Sequence, residues 1–265
     1  MCIRDSYLDI GEGPLCVFVH GTPGWSYEWR HVIKHLPGRV VVVDHIGFGL
    51  SDRPDYPLTL HDHASNFKLL IDSLDCTEIS FVVHDFGGPI ALESLVYRSY
   101  MIKKIILVNT WFWPLEEADA SFFRFRNLLG SQFIEKIYDV FGISARYLTK
   151  LAWGKARPMT DDEHRSFYRM LPRNHRMGTV GFLKSALSPG KFYGDYINKL
   201  KALEGTPSLL IWGRLDPLLK EGHLRKWQEI LPELPAILLS KAGHWPHLED
   251  YESVGQIISQ FLAND

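Results

Sequence analysis

The chain has 265 residues, 46% of them hydrophobic and 13% aromatic, which is enough for a large buried core in one domain or a core with an insertion. Its 29 basic and 31 acidic residues give a net charge of −2 with no basic stripe, so charge offers no handle for nucleic acid or an anionic membrane surface. Three scattered cysteines (Cys2, Cys16 and Cys76) form neither a disulfide framework nor a metal-ligand spacing and fit a reducing, cytoplasmic setting; no stretch reaches the roughly 20 apolar residues that span a bilayer.

In chain order, Met1–Ser6 lacks the apolar segment of a signal peptide. It resembles translated adapter sequence standing in place of a natural first strand, so the first strand is expected at Leu15–Val19. Further apolar runs follow at Val40–Val43, Ile79–Val83 and Ile105–Val108, and later at Ser208–Trp212 and Ala236–Leu239. Unbroken runs of this length predict strands buried on both faces, as in a parallel sheet. Helical spacing appears at His61–Leu74, Ile90–Tyr97 and Val254–Leu262. This alternation predicts βαβ units. It stops near Trp111. From 111 to 200 the chain offers helical segments such as Ser131–Phe141 and Asp161–Leu171, with breakers at Pro158, Pro172, Pro189 and Gly190. The expected layout is a core over 1–110 and 201–265 with a helical cap over 111–200.

The richest passage is Phe81–Ile90. A buried strand ends at Asp85, Gly87 and Gly88 follow, and a helix begins. A polar residue on a sharp strand-to-helix turn is a nucleophile elbow. Here the nucleophile is a carboxylate, which can displace a leaving group at carbon and become an alkyl ester. Asp216 follows the strand Leu209–Trp212, and His244 follows the last strand in Ala242-Gly243-His244. The order nucleophile, acid, histidine is that of the α/β-hydrolases. His244 would take a proton from the hydrolytic water, and Asp216 would hold its tautomer and charge. His247 is the rival histidine; Gly243 favours His244 by giving it a tight turn. A fourth strand end, Val17–Trp25, carries His20-Gly21-Thr22-Pro23. Backbone N–H groups of Thr22 and Phe86 are the candidate oxyanion hole, and His20 is expected to brace the loop.

Together, His20–Pro23, Asp44–Asp52, the Asp85 elbow and the Gly243-His244 turn resemble the haloalkane dehalogenases, an aspartate-nucleophile branch of the α/β-hydrolase superfamily shared with the epoxide hydrolases. The likeness covers about residues 7–110 and 205–262. It implies an α/β-hydrolase fold: a mostly parallel sheet flanked by helices, with a helical cap inserted after the sixth strand. It also implies hydrolytic dehalogenation of a small apolar organic substrate by water, without metal or organic cofactor; the oligomeric state stays open. Epoxide hydrolases usually have glycine two residues before the nucleophile, where this chain has Val83.

The family places its acid after the sixth or the seventh strand. After Ile105–Val108 this chain has Asn109, so Asp216 takes the role and Asn109 orients neighbours. Two departures concern the halide. Dehalogenases typically carry tryptophan after the nucleophile and asparagine after His-Gly as halide donors; here these are Phe86 and Thr22. Trp111 and Trp113 are candidate replacements, with Asn109 beside them in the halide or substrate pocket. Epoxide opening would instead need two converging tyrosines from Tyr138, Tyr147, Tyr168, Tyr193 and Tyr196. A third reading is non-catalytic ligand binding on the same scaffold.

Overall fold

The computed structural model describes residues 4–264 apart from 96–98, 100, 130, 172–175, 188–189 and 191. Seven strands make one sheet: β1 (Ser6–Ile10), β2 (Leu15–Val19), β3 (Arg39–Asp44), β4 (Ile79–Asp85), β5 (Ile102–Thr110), β6 (Ser208–Gly213) and β7 (Ala236–Leu239). Their order is β1-β3-β2-β4-β5-β6-β7. β1 runs antiparallel to β3 and every other pair is parallel. β2 and β4 are buried along their whole length because both faces are covered, which is why they read as unbroken apolar runs.

The sheet opens at Ser6, not at Leu15. β1 escapes an apolar-run search because four of its five residues are exposed. The ladder from Ser6↔Asp44 to Ile10↔Val40 holds it at the edge rather than burial.

Alternate residues of each central strand feed two cores. Val17, Val41 and Val83 pack with α1 (Leu60–Ser73) and α2 (Gly87–Leu95) on one face; Phe18, Val42 and Val82 pack with Trp29, Val254 and Ile258 on the other. The expected helices over His61–Leu74 and Val254–Leu262 appear as α1 and as Tyr251–Ala263; of Ile90–Tyr97, residues 96 and 97 lie outside the described residues. A Thr59–Asp62 capping box starts α1 and satisfies its first amides.

Between β5 and β6 every described element is helical, from Leu115–Glu117 to Tyr196–Lys201. It includes the expected segments as Gln132–Phe141 and Asp161–Arg169, while Pro172 and Pro189 lie outside the described residues. In chain order this insertion follows the fifth strand rather than the sixth, because no strand precedes β1 among the described residues. Among these residues no helix is long and apolar enough to cross a membrane. Cys16 and Cys76 are free thiols; Cys2 lies outside the described residues.

Candidate active site

β4 ends at Asp85 in a left-handed conformation with φ 49°, which a non-glycine residue adopts only where its surroundings enforce it. Two features enforce it. The β4–β5 register slips between His84 and Asp85, so Asp85 pairs with Thr110 and Asn109 is left over. Thr110 Oγ1 then donates to the Asp85 carbonyl at 2.5 Å. The neighbouring glycines are required by space: a Cβ at Gly21 would overlap the Asp85 carboxylate, and one at Gly88 would overlap the Thr110 side chain.

The three expected members of the triad meet. His244 Nδ1 lies 2.7 Å from Asp216 Oδ2, and its Nε2 lies 3.5 Å from Asp85 Oδ1. Asp216 accepts from the Leu218 and Leu219 amides at 2.8 and 3.0 Å and from Asn109 Nδ2 at 2.8 Å. These acceptor bonds leave Asp216 facing the imidazole N–H, which sets the tautomer that exposes Nε2 toward Asp85. Burial works against a charged imidazole at His244, but Asp216 and then Asp85 outweigh it and lift the group to about 10. Burial likewise opposes ionisation of Asp216, yet His244 and Asn109 hold its carboxyl below the usual range. Both acidic neighbours therefore favour the charged form of the His244 imidazole. His247 is not part of it. Its ring stacks on Trp29 at 4.1 Å, and its Nε2 sits 3.4 Å from Glu28.

The Thr22 amide donates to Asp85 Oδ2 at 2.9 Å, so the His-Gly loop holds the Asp85 carboxylate. His20 braces that loop. It accepts from the His45 amide at Nε2 (3.0 Å), so Nδ1 carries the proton donated to Gly21 O at 2.7 Å.

A cavity of about 360 Å³ opens over Asp85 and His244, between the core and the helical insertion. Phe86, Trp111, Leu148, Leu183 and Leu187 make its wall largely apolar, and the size suits a small organic ligand. Three expected donors are spoken for. Trp111 lines the cavity, but its N–H donates to Tyr193 OH at 2.8 Å. Trp113 is fully buried away from the lining, with its N–H on His223 Nδ1 at 3.2 Å. Asn109 is also fully buried and spends its amide on Asp216 and Gly213. Thus Trp113 and Asn109 do not line the cavity, and the Trp111 N–H is engaged outside it; buried donors find acceptors in the adjacent packing before they face an apolar space.

Of the five tyrosines, Tyr138 alone lines the cavity among the described residues. Its buried hydroxyl lies beside Ser144 without a well-formed hydrogen bond, and burial raises its phenol above the ordinary range. Tyr147 is exposed, Tyr193 serves Trp111, and Tyr196 donates to Glu117. No sequence signal distinguishes Tyr138 from the others, because which face of Gln132–Phe141 meets the cavity depends on how the insertion packs.

One group among the described residues brings metal-type ligand atoms together: Glu28, His84 and His247, all within 4.8 Å of one another. All three are buried, none lines the cavity, and Trp29 stacks on the His247 ring.

The alpha/beta hydrolase fold family matches residues 14–251. The chain is 29% identical to a cis-3-alkyl-4-alkyloxetan-2-one decarboxylase of Shewanella oneidensis, over 97% of this chain and 84% of the relative. It is also 29% identical to haloalkane dehalogenase 2 of Mycobacterium tuberculosis, over 80% of this chain and 75% of the relative. The haloalkane dehalogenase DatA of Agrobacterium tumefaciens superposes with a TM-score of 0.83 at 20% identity, covering 98% and 92% of the two chains; this supports the fold. The chain belongs to the α/β-hydrolase fold family and is similar to its haloalkane dehalogenase branch.

Proposed function

We propose that the chain is a hydrolase working through an alkyl ester of Asp85, with haloalkane dehalogenation as its reaction. The observation that carries this is a carboxylate at the elbow, rather than a hydroxyl, with His244 Nε2 3.5 Å away under an apolar cavity. In the first step an Asp85 oxygen attacks saturated carbon, and halide leaves with the bonding pair. Asp85 thereby loses its charge, and the His244 imidazolium loses one of the two carboxylates that raised it. Its proton departs to solvent. Neutral His244 then takes a proton from water, whose oxygen attacks the ester carbonyl while the Thr22 and Phe86 amides hold the oxyanion. Collapse releases the alcohol and restores imidazolium and carboxylate, so the balance is one water consumed and one halide and one proton released. In this reading residues 111–200 act as a cap that sets substrate shape, and the sparse cysteines suit a reducing, cytoplasmic compartment.

A second reading is ring opening of a strained oxygen heterocycle such as an epoxide, favoured by Tyr138. Its hydroxyl can give a proton to an oxygen leaving group, whereas the indole N–H groups that would serve a halide are engaged elsewhere. The Shewanella relative is named for such a ring. Replacing His244 with Phe and incubating with bromoalkanes and alkyl epoxides tests both. An adduct of alkyl mass on Asp85 supports dehalogenation. A hydroxyalkyl adduct that Tyr138→Phe suppresses supports ring opening. No adduct with any probe refutes both.

A further inference from the structure

Behind the triad lies a buried polar chain that the reaction above does not use. His84 Nε2 is 2.8 Å from the main-chain carbonyl of His244. A carbonyl only accepts, so this nitrogen carries a proton and donates. The other ring nitrogen, Nδ1, lies 3.1 Å from Glu28 Oε1. Glu28 is 3% exposed and His84 0%. Glu28 stands on the short turn Ser26–Trp29, directly after the loop that holds Asp85, and His84 is the residue before Asp85. The chain thus joins three segments of the site: the oxyanion loop, the elbow strand and the histidine loop. The opposite end of the His244 backbone is also held, since its N–H donates to Ala152 O at 2.8 Å.

We propose that Glu28 and His84 are positioning residues for His244. Glu28 fixes the His84 ring with Nε2 toward the His244 carbonyl, and that bond sets where the His244 imidazole stands over Asp85. The proposal rests on the alkyl-ester reading, in which His244 acts only in the second half of the reaction. Loosening Glu28 should therefore slow ester hydrolysis and leave alkylation alone. In such a two-step scheme kcat and KM fall together and kcat/KM is preserved.

The test compares Glu28→Leu with Glu28→Gln, whose side-chain amide keeps a hydrogen-bonding partner beside His84 Nδ1. Glu28→Leu should lower kcat by about 10–100-fold, as small misplacements of catalytic groups do. Its kcat/KM should stay near the wild-type value, and alkylated Asp85 should accumulate in turnover. Glu28→Gln should restore most of the rate. A fall in kcat/KM as large as that in kcat, no accumulated adduct, or no rescue by Glu28→Gln would overturn the proposal. A substrate-free arm keeps the proposal separate from the function it rests on. The His244 Nδ1 proton, held 2.7 Å from Asp216, should give a far-downfield imidazole resonance in the wild type and in Glu28→Gln, and should shift or broaden in Glu28→Leu. An unchanged resonance in Glu28→Leu overturns the positioning role whatever the substrates do. His244→Phe failing to trap any adduct overturns the alkyl-ester reading instead.

Discussion

Replacing Asn109 with Ala probes the support beneath the acid. Asn109 is fully buried, donates to Asp216 Oδ2 at 2.8 Å and accepts from the Gly213 amide at 2.8 Å. The bond to the carboxylate is worth about 1.5–3 kcal/mol, and leaving the buried Gly213 N–H unpaired costs about 1–3 kcal/mol more. Asn109 also adopts φ 33°, a left-handed conformation that Asn tolerates better than Ala. The expected loss is about 3–5 kcal/mol of a total that is typically about 5–15 kcal/mol, read by equilibrium urea unfolding. Turnover should fall as well, because Asp216 is freed to turn from His244. Asn109→Asp separates the two effects. It keeps an acceptor for Gly213 but sets a second carboxylate against Asp216, and that repulsion raises a folded-state carboxyl above its unfolded value. The pair is then favoured in acid, and that stability is lost as pH rises, so Asn109→Asp should close on the wild type as pH falls toward 4. Asn109→Ala within 1 kcal/mol of wild type, with unchanged turnover, would refute this account of the acid's support.

Other consequences follow from the same geometry. Gly88→Ala drives a Cβ into Thr110, whose hydroxyl holds the Asp85 carbonyl, and should cost about 1–3 kcal/mol in unfolding measurements together with most activity. Thr22→Asn adds a side-chain donor at the cavity wall, where the Thr22 hydroxyl has no partner among the described residues; kcat/KM for bromoalkanes should rise at least about 10-fold, and no rise would show that halide departure does not limit the rate. Stability should peak near neutral pH. His244, raised from 6.5 to about 10, contributes below 6.5 and loses that contribution as pH climbs through 10. Buried His247 and His223, each lowered to about 4 mainly by burial, contribute above 6.5 and lose that contribution as pH falls through 4. Thermal unfolding across this range checks it, and Asp216→Asn should flatten the alkaline limb.

Much of the core was legible because its strands are buried on both faces. Leu15–Val19 has the bounds its apolar run suggests, Ala236–Leu239 does so as an edge strand whose apolar residues are only partly buried, and the motif residues stand near strand ends, where a single residue can be placed. The edge strand Ser6–Ile10 was not legible because it has no buried face to leave a pattern. His244 could be preferred to His247 from Gly243 alone, but the reason His247 is excluded, its stacking on Trp29, is a tertiary fact. The same holds for the donors. Trp111 and Trp113 stand where a chain-order argument puts them, yet Tyr193 and His223 take up their N–H groups across 82 and 110 residues of sequence. Glu28 carried no signal at all, since a glutamate on a turn reads as solvated until the fold buries it beside His84 and His247.

The central claim is that Asp85 itself becomes the ester, and heavy-oxygen labelling tests it most directly. Turnover of a bromoalkane in water enriched in heavy oxygen should place the label in the Asp85 side chain, read by mass spectrometry of the peptide containing it, because water attacks the ester carbonyl. Under single-turnover conditions the first alcohol released should carry the light oxygen that Asp85 gave up. Label appearing in the alcohol at once, with Asp85 unlabelled, would mean that water attacks the substrate directly and would contradict the account.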